Sequence, residues 1–386
     1  MTDYLAPYRA RRVRRPVCLE LTEHSFPVEP SAEQSWLSLA FRAFSRLAGR
    51  MSVRDFLIIG TGNGLDVLGA LEIFDLRSMA VTDLYEESLS VARQNVLAHL
   101  EDASGIDISF HAGDLFSCVP PAKHFCLIYE NLPNIRAAAD QNLELGTLAG
   151  RFFDAKELRV PKVFETHQLA LHYECLQQAS GYLRDGGGAL TAIGGRIPLD
   201  LAFDLHRACG YRPELVAFDL KIQSEPDLVL PAYCLAEEQN RFEFRFYAPE
   251  ALGIVAELRL LGLEGQELAD AVEDDLLRHA MSAHEAMDRR RRGQAVAHSV
   301  FMILGEWREL ERGTPERKKL SHDAVITMAF EYPSRRRAYH DEAGLTPRRK
   351  RDEGGVTDEA NSKDSAGSHA SVRPGNHPVI RSMAER

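Results

Sequence analysis

The chain has 386 residues, 45% of them apolar and 27% charged, a balance that suits a soluble globular protein of one large domain or two smaller ones. A formal net charge of −11 excludes a nucleic-acid binder held by bulk electrostatics, and no stretch reaches the roughly 18 apolar residues that a membrane helix needs. The cysteines (Cys18, Cys118, Cys126, Cys175, Cys209 and Cys234) are scattered without a CxxC pair, as expected for reduced thiols in a cytoplasmic protein without a metal site.

The amino terminus carries Arg9, Arg11, Arg12, Arg14 and Arg15 but no apolar core of a signal peptide, and reads as a solvated arm. A helix is expected from Ser31, with Ser31 as cap and Glu33 and Gln34 in the first turn. Trp36, Leu37, Ala40, Phe41, Phe44 and Leu47 make its apolar face, and Gly49 ends it. Phe56–Ile59 is an unbroken apolar run, the pattern of a strand buried on both faces. It runs into Gly60-Thr61-Gly62-Asn63-Gly64, where the missing Cβ atoms let the backbone turn sharply and approach a ligand.

Strands and helices then alternate. Helix Leu65–Phe74 leads to strand Met79–Thr82, which ends at Asp83. Helix Glu86–Leu100 leads to strand Ile106–His111, followed by Gly113-Asp114-Leu115-Phe116. Strand Phe125–Tyr129 runs into Glu130-Asn131-Leu132-Pro133-Asn134. The irregular stretch 135–163 is long for a connection and is expected to be a substrate lid. Lid-side candidates for acceptor contacts are Asp154, Glu165, His167 and His172, with Glu130 at the strand end.

A helix over Thr166–Leu183, a strand over Ala189–Ile193 and a helix over Leu199–Cys209 come next. Strand candidates near Leu215–Ile222 and Phe242–Tyr247, with a Pro-containing loop between them, suggest an antiparallel hairpin at the sheet edge. The fold class is therefore α/β: a doubly wound, Rossmann-like, seven-stranded sheet, mostly parallel, with an antiparallel edge hairpin. Apolar spacing predicts helices over Ala251–Leu263, Gln266–Met287 and Gln294–Leu310, and Arg289–Arg292 reads as a solvated helix end. Residues 335–386 have almost no large apolar side chains and are expected to be disordered. The implied plan is an arm and helix over 1–50, a core domain over 51–248, a helical extension over 249–334 and a tail over 335–386.

The loop at 60–64 is G-x-G-x-G, without the third glycine of the G-x-G-x-x-G that seats a pyrophosphate on a helix amino terminus. Asp83, 19 residues after Gly64, can accept from both hydroxyls of a ribose, and Asp114 suits an adenine amino group. The set favours S-adenosylmethionine over NAD.

Residues 55–247 resemble the class I S-adenosylmethionine-dependent methyltransferases in the glycine loop and in the order of these landmarks. Gly113-Asp114-Leu115-Phe116 and Glu130-Asn131-Leu132-Pro133-Asn134 look most like the release-factor glutamine methyltransferase group, which has Asn-Pro-Pro-Tyr at the second place. Gly194-Gly195-Arg196 is similar, more faintly, to the end of the fifth strand in methionine S-methyltransferases. The resemblance implies that Gly60, Gly62 and Gly64, with Thr61 and Asn63 between them, lie against the methionine half of the cofactor. Asp83, with Leu84 after it, would hold the ribose, and Asp114 with Leu115 would meet the adenine. Asn131 would touch cofactor and acceptor, orienting the latter through its amide, while the Leu132 and Pro133 carbonyls accept from it and Asn134 closes the motif.

Two positions depart from the family pattern. The acid two residues before the first glycine is Ile58, and the aromatic fourth residue of the second motif is Asn134. The function implied is methyl transfer to a nitrogen, or an oxygen or sulfur, of a small-molecule acceptor. The alternatives are protein glutamine N-methylation of the release-factor type and a non-catalytic S-adenosylmethionine-binding module. Methyl transfer from a sulfonium is an in-line displacement that needs alignment more than a strong base. The expected partners are a small-molecule or protein acceptor, with no nucleic acid and no membrane.

Overall fold

The computed structural model describes residues 4–22, 35–101, 105–122, 124–137, 152–153, 159–240 and 242–308. The first helix, α1 (Trp36–Ala48), is capped by Ser35, whose Oγ accepts from the Leu37 N–H at 3.2 Å. Ser35 thus takes the capping role expected of Ser31, which with Glu33 and Gln34 lies outside the described residues. Leu39, Ala40, Phe41, Ala43, Phe44 and Leu47 bury the expected face. The arginine-rich arm before it is tied down. The N–H groups of Arg12 and Val13 donate to the buried Glu72 carboxylate at 2.9 and 3.1 Å, and Tyr4, Leu5, Val13 and Val17 are buried.

Alternation then follows the sequence closely: β1 (Asp55–Ile59), α2 (Leu65–Ile73), β2 (Ser78–Asp83), α3 (Glu86–His99), β3 (Asp107–Ala112) and β4 (Phe125–Glu130). Two-residue strands β5 (Ile135–Arg136) and β6 (Phe152–Phe153) pair in parallel apart from the main sheet. Residues 138–151 and 154–158 of the expected lid, Asp154 among them, lie outside the described residues. The helix expected over 166–183 is two helices, α4 (Lys162–Thr166) and α5 (Ala170–Ala179). Between them Gln168 adopts φ +60°, which no continuous helix contains.

The remaining elements are β7 (Leu183–Gly195), α6 (Leu199–Ala208), β8 (Arg212–Ile222), α7 (Pro226–Gln239), β9 (Phe246–Tyr247), α8 (Ala251–Leu260), α9 (Gly265–Arg278), β10 (Ala280–Met281), α10 (Ala283–Arg291) and β11 (Ala297–Glu306). Strands β3, β2, β1, β4 and β7 lie side by side and parallel. β11 follows, antiparallel both to β7 and to β8 on its other side. Six of these seven are strands of the expected sheet, β11 is an addition, and the short β9, at the end of the expected Phe242–Tyr247, and β10 bring the sheet to nine. Helices α1, α2 and α3 cover one face and α5 and α6 the other, each over its own apolar core.

Three expectations are corrected. The edge pair is β8 with β11 rather than with Phe242–Tyr247, because Pro226 opens a helix whose Val229, Leu230 and Tyr233 are buried. The helix expected over 294–310 is the strand β11, inserted into the middle of the antiparallel end. Its Val300-Phe301-Met302-Ile303-Leu304 run is buried on both faces, and a continuous apolar run satisfies helical and strand spacing alike. The chain after 248 is therefore not a purely helical extension, since its last described element completes the sheet. The helix expected over 266–287 breaks at His279 into α9 and α10. Ser282 and Glu285 form a capping box that starts α10. Arg289 and Arg290 at its end face Glu250 and Asp227 as exposed ion pairs, in keeping with a solvated helix end. The tail at 335–386 lies outside the described residues. No helix among the described residues is long and apolar enough to cross a membrane.

Candidate functional site

The carboxyl ends of β1, β2, β3 and β4 converge on one edge, where ligands of open α/β sheets bind. After β1, the backbone has φ of +74° at Gly60, +60° at Gly62 and +83° at Gly64. These glycines serve different ends. A Cβ at Gly64 would stand 2.9 Å from the Ala92 carbonyl oxygen, so Gly64 lets α3 pack against the loop. A Cβ at Gly62 would meet no protein atom within 4 Å, so that side of the loop faces open space. The side chains between them hold the loop itself. Thr61 Oγ1 donates to Asp66 Oδ1 at 2.6 Å, and Asn63 Oδ1 accepts from the Leu65 N–H at 3.1 Å. What remains toward the open side is main chain.

Asp83, at the end of β2, has two local bonds. Oδ2 accepts from the Gly62 N–H at 2.8 Å and Oδ1 from the Tyr85 N–H at 3.1 Å. The acid expected to hold a ribose therefore also fastens the glycine loop. Leu84 beside it is 52% exposed, an apolar side chain at the edge. After β3, Asp114 is exposed while Leu115, at φ +48°, turns its side chain into the core with Phe116. Leu115 thus shapes the turn that presents Asp114.

One charged residue of the loop region escaped sequence reasoning. Asp66, in the first turn of α2, is buried, and its oxygen Oδ1 also accepts from the Val67 N–H at 2.8 Å. Burial, with the Asp83 charge adding to it, pushes its carboxyl up to about 7 against the lowering bonds from Thr61 and Val67. Two acidic side chains around one glycine loop suit a cationic ligand better than a pyrophosphate. Ile58, where the family pattern has an acid, is fully buried in the core beneath α1 and α2. The Asp in a run of Leu-Asp-Val-Leu was a visible signal, since an acid inside an apolar helix start is rarely buried without a reason.

At the end of β4, Glu130 is buried, with Oε2 accepting from the Leu132 N–H at 3.0 Å. His172 Nδ1, on α5, lies 2.7 Å from Oε1. With both oxygens engaged, Glu130 holds the Asn131–Asn134 loop rather than contacting an acceptor. His172, wholly buried, is a support under the loop rather than part of a lid. Asn131, Leu132, Pro133 and Asn134 are half-buried, and Asn134 Nδ2 donates to the Gln168 carbonyl oxygen at 3.3 Å. Leu132 also leans on the glycine loop: a Cβ at Gly60 would come within 3.1 Å of its Cδ2, so the two loops are neighbours.

Of the other sequence candidates, Glu165 and His167 are held by neighbouring groups. Glu165 bonds Arg136 and Lys162, and His167 Nδ1 lies 2.6 Å from the Val163 carbonyl oxygen with its ring on Phe242. Burial lowers the pKa of His167. Among the described residues no group of His, Cys, Asp and Glu side chains is arranged to hold a metal ion.

Glu130→Ala should destabilise the protein by about 2–4 kcal/mol in urea denaturation. It leaves the Leu132 N–H and the buried His172 Nδ1 without an acceptor. Glu130→Gln, which keeps one acceptor oxygen, should recover roughly half of that loss.

Fold and edge together define a doubly wound, Rossmann-like α/β protein with glycine and acidic loops gathered at the carboxyl ends of its parallel strands. The chain is similar to the release factor glutamine methyltransferase of Deinococcus radiodurans, 29% identical over 206 residues, 51% of this chain and 64% of that protein. It thus spans less than two thirds of that relative's length. No model of a known family matches. Solved structures with some likeness include the YcgJ protein from Bacillus subtilis, at 12% identity over 71% of this chain and 99% of that one, TM-score 0.37. Another is the ribosomal protein L11 methylase from Lactobacillus delbrueckii subsp. bulgaricus, at 16% identity over 52% and 75%, TM-score 0.31. Likenesses of that extent carry no functional weight. The resemblance to class I S-adenosylmethionine-dependent methyltransferases accordingly stands on the motifs and on the release-factor relative.

Proposed function

We propose that this protein is a methyltransferase that moves a methyl group from S-adenosylmethionine to a nitrogen, or to an oxygen or sulfur, of a small-molecule acceptor. The observation that carries this reading is the glycine loop. It is open at Gly62, closed on its other side by Asp83, and bordered by the buried Asp66. Such a cradle fits a ligand with a ribose and a positive charge, and it does not suit the pyrophosphate of NAD.

S-adenosylmethionine, when bound, supplies a methyl already activated on a sulfonium. The protein's own work is alignment. Main-chain groups of Gly60–Gly64 would line the methionine end, Asp83 would accept from the ribose hydroxyls, and Asp114 with Leu84 and Leu115 would border the adenine. Asn131 would turn its amide toward the acceptor, with the carbonyls of Leu132 and Pro133 as fixed acceptors for the attacking group's hydrogen. Glu130, through its bonds to Leu132 and His172, keeps those carbonyls in place.

A small acceptor is preferred because Asn134 bonds to the Gln168 carbonyl and offers no aromatic face to a side-chain amide. Protein glutamine methylation is the second reading, favoured by the similarity to the release-factor enzyme. The test is transfer from methyl-labelled S-adenosylmethionine into fractionated cell lysate. Label in the metabolite fraction is the expected result, and label on macromolecules would install the second reading. Donor binding in a calorimeter without label in any fraction would leave only a non-catalytic binding module.

A further inference from the structure

Beside the glycine loop, the first turn of α2 holds a buried acid, Asp66. Asp66 is fully enclosed, and among the described residues no lysine, arginine or histidine pairs with it; its hydrogen-bond partners are Thr61 and Val67. A carboxylate so placed is costly in ionised form without a neighbouring cation. Asp83, on β2, adds its negative charge, and the Tyr129 hydroxyl on β4, held neutral by burial with the Asp66 charge adding to it, brings no cation. The helices packed on α2 bring no compensating charge to this end. Against Gly69, α1 places the Phe41 ring, and α3 places Ala92 against Gly64 and the Asn95 amide on the Asn63 carbonyl. The amino terminus of α2 itself is the one favourable field.

Thr61 connects this buried acid to the open loop, since its Oγ1 hydrogen is spent on Asp66. The strand position that would otherwise bear a charge beside the loop is the buried Ile58. We propose that Asp66 is the counter-charge of the donor, a positioning residue that acts on the cationic cofactor from behind Thr61 and gives up its proton when the cation binds. This rests on the reading of the loop as an S-adenosylmethionine site.

The step balances simply. Free protein carries Asp66 as a carboxylic acid over the lower part of the neutral range. Arrival of a cation stabilises the carboxylate, and one proton leaves to solvent. Below the free-state midpoint, which lies at about 7, binding must expel that proton. Affinity therefore falls as pH falls, and it levels off above the midpoint.

The experiment is calorimetric titration of the full chain with S-adenosylmethionine at pH 6, 7 and 8, each in two buffers of different ionisation enthalpy to count protons. Wild-type protein should release close to one proton at pH 6 and almost none at pH 8. Its Kd should be about tenfold weaker at pH 6 than at pH 8. Asp66→Asn, which keeps an oxygen for Thr61, should bind more weakly at pH 8 and show neither proton release nor pH dependence. Thr61→Val serves as a second variant should Asp66→Asn not fold, and it should shift the pH at which the proton is released. Donor binding with no proton release and a flat Kd would overturn this proposal alone. No donor binding at any pH would overturn the functional reading itself and the proposal with it.

Discussion

Asp83→Ala should eliminate measurable binding of S-adenosylmethionine in a calorimeter, weakening it by at least about 100-fold, while the protein stays folded. Charge-assisted hydrogen bonds are worth about 1.5–3 kcal/mol each, and a carboxylate facing two ribose hydroxyls makes two of them. The second contribution comes from the loop. Without the carboxylate, the Gly62 N–H loses its 2.8 Å bond and the Tyr85 N–H its 3.1 Å bond, so the cradle is no longer held in its binding shape. Both bonds lie at the sheet edge and not within the core, which is why folding should survive. Asp83→Asn is a sharper probe. One side of the amide is an NH2, so either Gly62 or Tyr85 would face a donor instead of an acceptor. Removal of the Asp83 charge should also let Asp66 ionise at lower pH, because that charge is one of the causes that raise it.

The largest stability effect is expected at the far end of the sheet. Asp219→Ala should cost about 3–5 kcal/mol, read as a lowered urea midpoint at unchanged slope. On β8 the Asp219 carboxylate accepts from Arg42 of α1 at 2.7 Å and from Arg259 of α8 at 2.5 Å, with the wholly buried Lys221 at 3.7 Å. Its removal would leave Lys221 a buried cation with no carboxylate among these contacts and would release α1 and α8 from the strand. Burial already lowers Lys221 to about 8, against the opposing pull of Asp219. The unfolded chain thus binds more protons than the folded one between about pH 8 and the ordinary lysine value. In that window stability should rise with pH. In Asp219→Ala the rise should start at lower pH, because the group that held the lysine charged is gone.

How much of this was legible beforehand differs along the chain. The run from β1 to β4 could be read because each strand is a short apolar run ended by a chemical landmark: the glycines, Asp83, Asp114 and the Glu130–Asn134 motif. Those landmarks do converge on one edge. The support beneath them was not readable in the same way. Glu130 and His172 are candidates for acceptor contacts in the sequence, yet they meet 2.7 Å apart in the core, 42 positions separated in sequence. Asp66 drew no role from the sequence, and its enclosure beside Thr61 and Asp83 is what alters its proton affinity.

By itself, the sequence determined the doubly wound α/β class, the glycine loop and the acids at its rim, because apolar periodicity and glycine placement act over a few residues. It left the end of the sheet undecided. An apolar run such as 300–304 fits a helix as well as a strand, and what selects the strand is pairing with β7 and β8 from distant parts of the chain. The tertiary structure likewise decided which carboxylates hold loops and which face the open edge, since burial and hydrogen-bond partners arise only when separate elements pack.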